Sequence, residues 1–584
     1  MEHAADLLTR WPALDVAARR DRLRRSLRIT PGPVSNRVRA DAAPAQLAAA
    51  AMWRRDPSAW SASPEVQTTI ANRLGWLASP ILMADSLDRL RAFAGGVRRD
   101  GFTDVVLLGM GGSSLAPEVL RAIVGPAAGW PRFHMLDSTD PDAIRAAATT
   151  PRQTLYLLAS KSGTTIEPNT LAAHFRRTLE EAGIARWADH FVAITDDGTE
   201  LSRRARAESF RETFINPSDI GGRYSALSFF GLVPAALMGQ DIAAITGWGL
   251  AMLSAAAEPA EDNPAVTLGL LLGAAAREGR DKLTLLLPPE LEPFGLWVEQ
   301  LVAESTGKSG VGVVPIAGET PGTPSQYGRD RLFVEVQNPG STGRSRGLEG
   351  LEADGHPTAT IDWHEPAALG AEFLRWEIAT AIAGAMLGIN PFDEPNVKQA
   401  KDATTTLLTA YQSSGSFPRE TSGLTLAGGI TLTASRAARE RLSGAGPDAL
   451  LTLLQPGDYF VLLAYIDPRA LTGDLAWFRN AVRDRTRAAT MSGVGPRYLH
   501  STGQLHKGGP NTGVFVLITA TPRADLDIPG YPFTFGTLEL AQALGDFASL
   551  DAAGRRAVHV HLPAADAALV RQVADALLGR IALQ

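Results

Sequence analysis

A chain of 584 residues exceeds what one ordinary hydrophobic core organises, so two or three closely packed domains are expected. Its 45% hydrophobic and 20% charged residues describe a globular protein, and a net charge of −6 with both signs scattered leaves no basic surplus for nucleic acid. Cysteine is absent, which removes disulfides, thiolate metal ligands and a cysteine nucleophile together and fits a cytoplasmic protein.

In chain order, Met1 to Leu27 mixes acids with arginines and lacks the apolar stretch of a signal peptide, so the protein reads as untargeted. Residues 1–70 form a helical lead-in, broken once at Pro31-Gly32-Pro33. A helical pattern from Asp85 to Gly96 leads to Asp104-Val105-Val106-Leu107-Leu108, continuous and apolar like a parallel strand buried on both faces. The turn Gly109-Met110-Gly111-Gly112-Ser113-Ser114 then opens a helix, with glycines that let backbone approach a ligand. Its spacing differs from the dinucleotide-binding glycine pattern, and no well-placed acid follows.

A second strand-to-helix turn comes one repeat later. Thr154 to Ala159 is a strand, and Ser160-Lys161-Ser162-Gly163-Thr164-Thr165 joins it to a helix that begins near Glu167. Free N–H groups, the helix dipole, four hydroxyls and one ammonium make a phosphate cradle; the competing reading is a hydroxyl-rich helix cap. Two such turns at the carboxyl ends of neighbouring parallel strands open into one crevice. Asp219 to Ser225 places Arg223 between a glycine pair and an apolar helix, as a cation near that crevice or as a cap tied to a carboxylate. The apolar runs Ala226–Met238 and Ala265–Ala276 fall short of the roughly 20 residues of a membrane span and read as buried helices.

A further α/β unit starts near Lys282, and its helix carries Gln300 and Glu304 on one face. At the end of an apolar run, Glu304 suits proton abstraction; the plainer alternative is an ion pair with Lys308. Past the helix Ala371 to Leu387, the turn Gly388 to Lys401 holds Glu394, Lys398 and Lys401, and Ser413 to Gly429 reads as a loop and domain boundary. Strands follow at Tyr459–Tyr465, Val514–Ile518 and Val558–Leu562. The glycine-rich loop Gly495 to Pro510 between the first two carries His500 and His506, without the further ligands a tetrahedral zinc site demands.

These motifs together resemble phosphoglucose isomerase, most closely the isomerase half of the bacterial transaldolase/phosphoglucose isomerase fusions. The resemblance implies two doubly wound parallel-sheet sugar-isomerase domains, at 71–255 and 256–425. The C-terminal α/β segment 426–584 would complete the second. It implies interconversion of glucose 6-phosphate and fructose 6-phosphate through a cis-enediolate, without metal, cofactor, nucleic acid or membrane, by a cytoplasmic homodimer with shared active sites. Gly112 and Ser113 match the first substrate loop, and Ser160, Lys161, Ser162 and Thr165 the phosphate loop. Glu167 matches a carboxylate near the substrate, and Arg223 the cation that stabilises the intermediate. Gln300 and Glu304 match the helix of the catalytic base, and Lys401 and His500 the ring-opening pair.

Two departures stand out. Glu394 occupies a substrate-side position where the family usually has glutamine, so it either selects another sugar or pairs with Lys398 or Lys401. His500 follows Lys401 in the chain, whereas the common isomerases have the histidine first. Two alternatives stay open: a non-catalytic phosphosugar sensor, and a broader isomerase that also takes mannose 6-phosphate, with Thr306 and Glu394 as the positions to examine.

Overall fold

The computed structural model describes residues 9–258, 263–338, 345–417, 423–467 and 469–581. Its α/β architecture holds three sheets among the described residues. The first contains β2 (Asp104–Gly109), β3 (Arg132–Leu136), β4 (Thr154–Ala159), β5 (Phe191–Asp196) and β6 (Glu212–Asn216), all parallel, in the order β3-β2-β4-β5-β6. Every residue of β2, β4 and β5 is buried, the result of apolar runs covered by helices on both faces. The strand order reverses beside β2, so the turns after β2 and β4 flank a crevice at their carboxyl ends. Helix α1 (Ile166–Glu181) follows β4.

The second sheet has the order β1-β10-β9-β7-β8, where β7 is Lys282–Leu286, β8 Val314–Ile316, β9 Arg331–Gln337 and β10 Thr358–Asp362. Its edge strand β1 (Leu27–Thr30) comes from the lead-in and pairs antiparallel with β10, so the lead-in is not purely helical. Helix α2 (Glu292–Thr306) follows β7, and α3 (Leu369–Leu387) leads to α4 (Val397–Ser414). One continuous core joins this unit to the near face of the first sheet.

The C-terminal strands do not complete the second sheet. They form a sheet of their own, ordered β11-β12-β16-β15-β13-β14, from β11 (Gly423–Thr425), β12 (Thr431–Ala434), β13 (Tyr459–Tyr465), β14 (Ala489–Val494), β15 (Gly513–Ala520) and β16 (Arg556–Leu562). The reason is sidedness. One face buries a separate core with the C-terminal helix Ala567–Leu578, and the other packs on Ala303, Val314 and Ile316 of the second unit, so the sheet stacks on its neighbour instead of extending it. Helices α5 (Gly503–Gly508) and α6 (Phe535–Ala552) belong to this segment, and Phe535, Leu538 and Ala541 of α6 pack on the far face of the first sheet. The boundary expected between Ser413 and Gly429 lies partly outside the described residues, at 418–422.

Candidate active site

Glu304 stands at the last turn of α2, 8% exposed, in the packed region where the three sheets meet. Gln300, one turn earlier, donates from Nε2 to Glu304 Oε2 at 3.2 Å and to the backbone oxygen of His500 at 2.8 Å. Nη1 of Arg223 lies 3.3 Å from Glu304 Oε1. Burial raises the Glu304 carboxyl above the ordinary carboxylate range against the pull of Arg223, which is what a proton-abstracting base at neutral pH requires. Lys308 does not pair with it. Its ammonium donates instead to the backbone oxygen of Asn390 at 2.8 Å and to Asp393 Oδ1 at 2.7 Å, and burial brings it down to about 8.

Arg223 is fixed on every side. Its Nε donates to Ser305 Oγ at 2.8 Å, its Nη2 to the backbone oxygens of Pro391 and Asp393 at 2.9 Å, and its Nη1 to Glu394 Oε2 at 3.0 Å. Beneath it, Trp76, Tyr224 and Phe392 pack ring against ring. Glu394 therefore pairs with Arg223 and not with Lys398, which binds Asp402, or Lys401. Burial would raise Glu394, but the guanidinium holds it low. One cation thus serves two carboxylates whose affinities for protons are pushed apart.

His500, in the turn after β14, places Nε2 2.9 Å from Glu167 Oε1. Burial alone would raise Glu167; the neighbouring imidazole holds it below the usual range, helped by its own backbone N–H and the charge of Lys401. Gln542 of α6 donates to the same Oε1 at 2.6 Å, while Glu167 Oε2 is buried with no hydrogen-bond partner among the described residues. Lys401 is exposed, in the first turns of α4. A bidentate pair, Arg497 Nε and Nη2 to Asp137 at 2.7 and 2.8 Å, anchors the His500 turn to the end of β3. His506 takes no part, being buried against Tyr498 and Phe515.

The glycine turn after β2 closes the site from the other side. Gly111 has φ +53°, and a Cβ there would lie 2.4 Å from the His500 carbonyl oxygen. A Cβ on Gly112 would lie 2.0 Å from the oxygen of Gly222, so this turn and the Arg223 turn touch backbone to backbone. Ser113 is buried beside them. In the loop after β4, Ser160 Oγ accepts from the backbone N–H of Gly163 at 3.1 Å, and Ser162 and Thr164 hydroxyls pair at 3.0 Å with both residues exposed. Thr165 caps α1 without a side-chain cap bond, leaving that helix start open to an anion. Lys161 turns away, its ammonium held by Asp196 and by the backbone oxygen of Ser218. The Thr306 hydroxyl is spent on the Val302 carbonyl and the Val313 N–H, which leaves Glu394 of the two positions considered for sugar selection.

All these contacts form within one chain. Sequence reasoning missed Gln542, the Asp137–Arg497 pair and the carboxylates of Asp196 and Asp393. Each meets its partner from a distant or unpatterned position.

A buried carboxylate beside a fixed cation, with an uncapped helix start at the carboxyl ends of parallel strands, is the arrangement expected of an α/β isomerase of the sugar-isomerase type. The phosphoglucose isomerase family model matches residues 83–322. A glucose-6-phosphate isomerase of Rubrobacter xylanophilus is 30% identical over 360 residues, covering 53% of this chain and 83% of that protein. One from a Synechococcus strain is 29% identical over 401 residues, covering 57% and 74%. A solved structure from Thermus thermophilus, described as a hypothetical protein, aligns with a TM-score of 0.55 at 25% identity over 65% of this chain and 99% of its own. The chain belongs to the phosphoglucose isomerase family. Lys401 and His500 lie beyond the segment the family model matches.

Proposed function

We propose that the chain interconverts glucose 6-phosphate and fructose 6-phosphate, working in the cytoplasm as a homodimer. The observation that carries this is the Glu304 carboxylate, buried, oriented by Gln300 and 3.3 Å from Arg223. The substrate phosphate sits on the α1 start and the hydroxyls of Ser160, Ser162 and Thr165, with Gly112 and Ser113 along the sugar. Lys161 lends its charge from behind Asp196.

His500 and Lys401 move protons at the ring oxygens during opening, and Glu167 fixes which imidazole nitrogen faces the substrate. Glu304 then removes the proton from the second carbon of the aldose and returns it to the first carbon. Two new bonds to hydrogen replace two broken ones, with no net redox change. Arg223 offsets the charge of the cis-enediolate from its fixed position. Joining base, cation and ring-opening pair in one site favours catalysis over mere sensing. Support for the cytoplasm is the cysteine-free composition. The homodimer rests on the resemblance, and light scattering tests it.

The deciding experiment is a coupled assay of fructose 6-phosphate turnover on the native protein and its Glu304→Gln variant. The variant is expected to lose about 10³-fold in kcat, within the usual range for a removed general base, with KM little changed. Native protein that binds fructose 6-phosphate but turns nothing over sinks the proposal.

A further inference from the structure

A cavity of about 1410 Å³ lies between the third sheet and helices α4 and α6, and none of Glu304, Arg223, Glu167, Lys401 or His500 lines it. Its floor is a polar row across five strands: Thr425, Thr431, His561, Thr519 and Tyr465 stand opposite one another on β11, β12, β16, β15 and β13. Thr433 and His559 begin a second row beside it. A sheet face turned toward helices is ordinarily apolar. Here the Thr519 hydroxyl lies 2.9 Å from His559 Nε2 and 2.9 Å from His561 Nδ1, and His561 Nε2 lies 3.2 Å from Thr521 Oγ1.

Glu539 of α6 also lines the cavity. It is 6% exposed, and its Oε1 has no hydrogen-bond partner among the described residues. Burial holds this carboxyl well above the ordinary range and pushes both imidazoles down, His559 to about 3. Burial thus favours the neutral forms of the imidazoles and the carboxyl, and with the hydroxyls and the phenol these groups can each donate or accept. Arg436 is exposed and is the one cation among the described lining residues, while Asp525 and Asp551 already accept bonds from Thr534 and from the Arg436 N–H. A phosphate would find little here. Tyr411 and Phe417 line the α4 side, with ring centroids 4.9 Å apart.

We propose that this cavity binds an uncharged polyhydroxylated molecule of sugar size, its hydroxyls taken up by the threonine–histidine row and Glu539 and its apolar face laid on Tyr411 and Phe417. The volume exceeds that of a typical small-ligand pocket, so a free hexose, an open-chain polyol and a short oligosaccharide all fit.

The test is calorimetric titration of glucose, sorbitol and maltotriose into the whole protein already saturated with fructose 6-phosphate. Inorganic phosphate and glucosamine serve as charged controls. One or more uncharged probes is expected to bind once per chain, about tenfold or more tighter than either control. His559→Phe should weaken that binding by about tenfold while fructose 6-phosphate turnover holds. Leu544→Trp, at a half-buried α6 position, fills the cavity without touching the polar row and keeps the test standing should the histidine variant not fold. Absence of binding by all three probes, loss of binding under fructose 6-phosphate, a charged control binding as well, or unchanged binding in the variants overturns the proposal.

Discussion

At the residue scale, the unusual feature is one guanidinium between two carboxylates. Nη1 of Arg223 meets Glu394 at 3.0 Å and Glu304 at 3.3 Å, and the two acids are pushed in opposite directions. Burial is the main cause of the rise at Glu304, and the charge of Glu394 adds to it. Replacing Glu394 by glutamine removes that charge and frees Arg223 to act on Glu304 alone. Both effects favour the ionised base, so the Glu304 carboxyl falls. As the base must be ionised in the free enzyme, the acid limb of the kcat/KM profile is expected to move to lower pH in Glu394→Gln. A limb that stays in place or moves upward refutes the coupling. The same variant read with mannose 6-phosphate shows whether Glu394 also selects the sugar.

At the element scale, the site depends on two loops that meet without side chains between them. Alanine at Gly112 brings its Cβ to 2.0 Å from the Gly222 oxygen, and backbone on both sides has little room to yield. Gly112→Ala is expected to cost about 1–3 kcal/mol of stability by thermal unfolding, as overpacking usually does, and to lower kcat by displacing Arg223. Gly222→Ala, whose Cβ meets nothing within 4 Å, should leave the melting temperature unchanged and serves as the control. Equal destabilisation by the two would show that the close approach is unimportant. This level also marks how far the sequence was legible. Buried strands such as β2 and β4 announce themselves by apolar runs, and Gln300 and Glu304 by helical spacing. Arg223, Glu167 and His500 stand in distinctive local motifs, and the fold brings Arg223 beside Glu304 and His500 beside Glu167. Gln542 does not, since it reaches Glu167 across 375 residues with nothing local to signal it. The pairing of Lys161 with Asp196 is equally silent in the sequence, since the two stand 35 residues apart. The four residues of β1, Leu27-Arg28-Ile29-Thr30, do alternate apolar and polar, but so short a run inside a helical lead-in does not announce a strand without the β10 edge it pairs with.

At the scale of the whole molecule, strand patterns told that the C-terminal segment is α/β but not which sheet its strands join. That depends on which face each strand buries, and the third sheet buries a core on each side. Its position decides how the site is assembled. The His500 backbone oxygen accepts from Gln300 at 2.8 Å, its ring meets Glu167 at 2.9 Å, and Arg497 ties the same turn to Asp137, so one chain brings the Glu304 helix and His500 together. A dimer that shared its sites would behave differently from one that does not. If Glu304→Gln and His500→Leu chains are unfolded together and refolded, shared sites would regenerate one intact site in each mixed dimer and restore turnover. Sites complete within a chain regenerate none, because each chain keeps its own defect. Turnover of the refolded mixture is therefore expected to equal the sum of the two variants refolded apart, with a native sample carried through the same cycle to show that activity returns. Recovery well above that sum would mean that the histidine reaches its base from a second subunit.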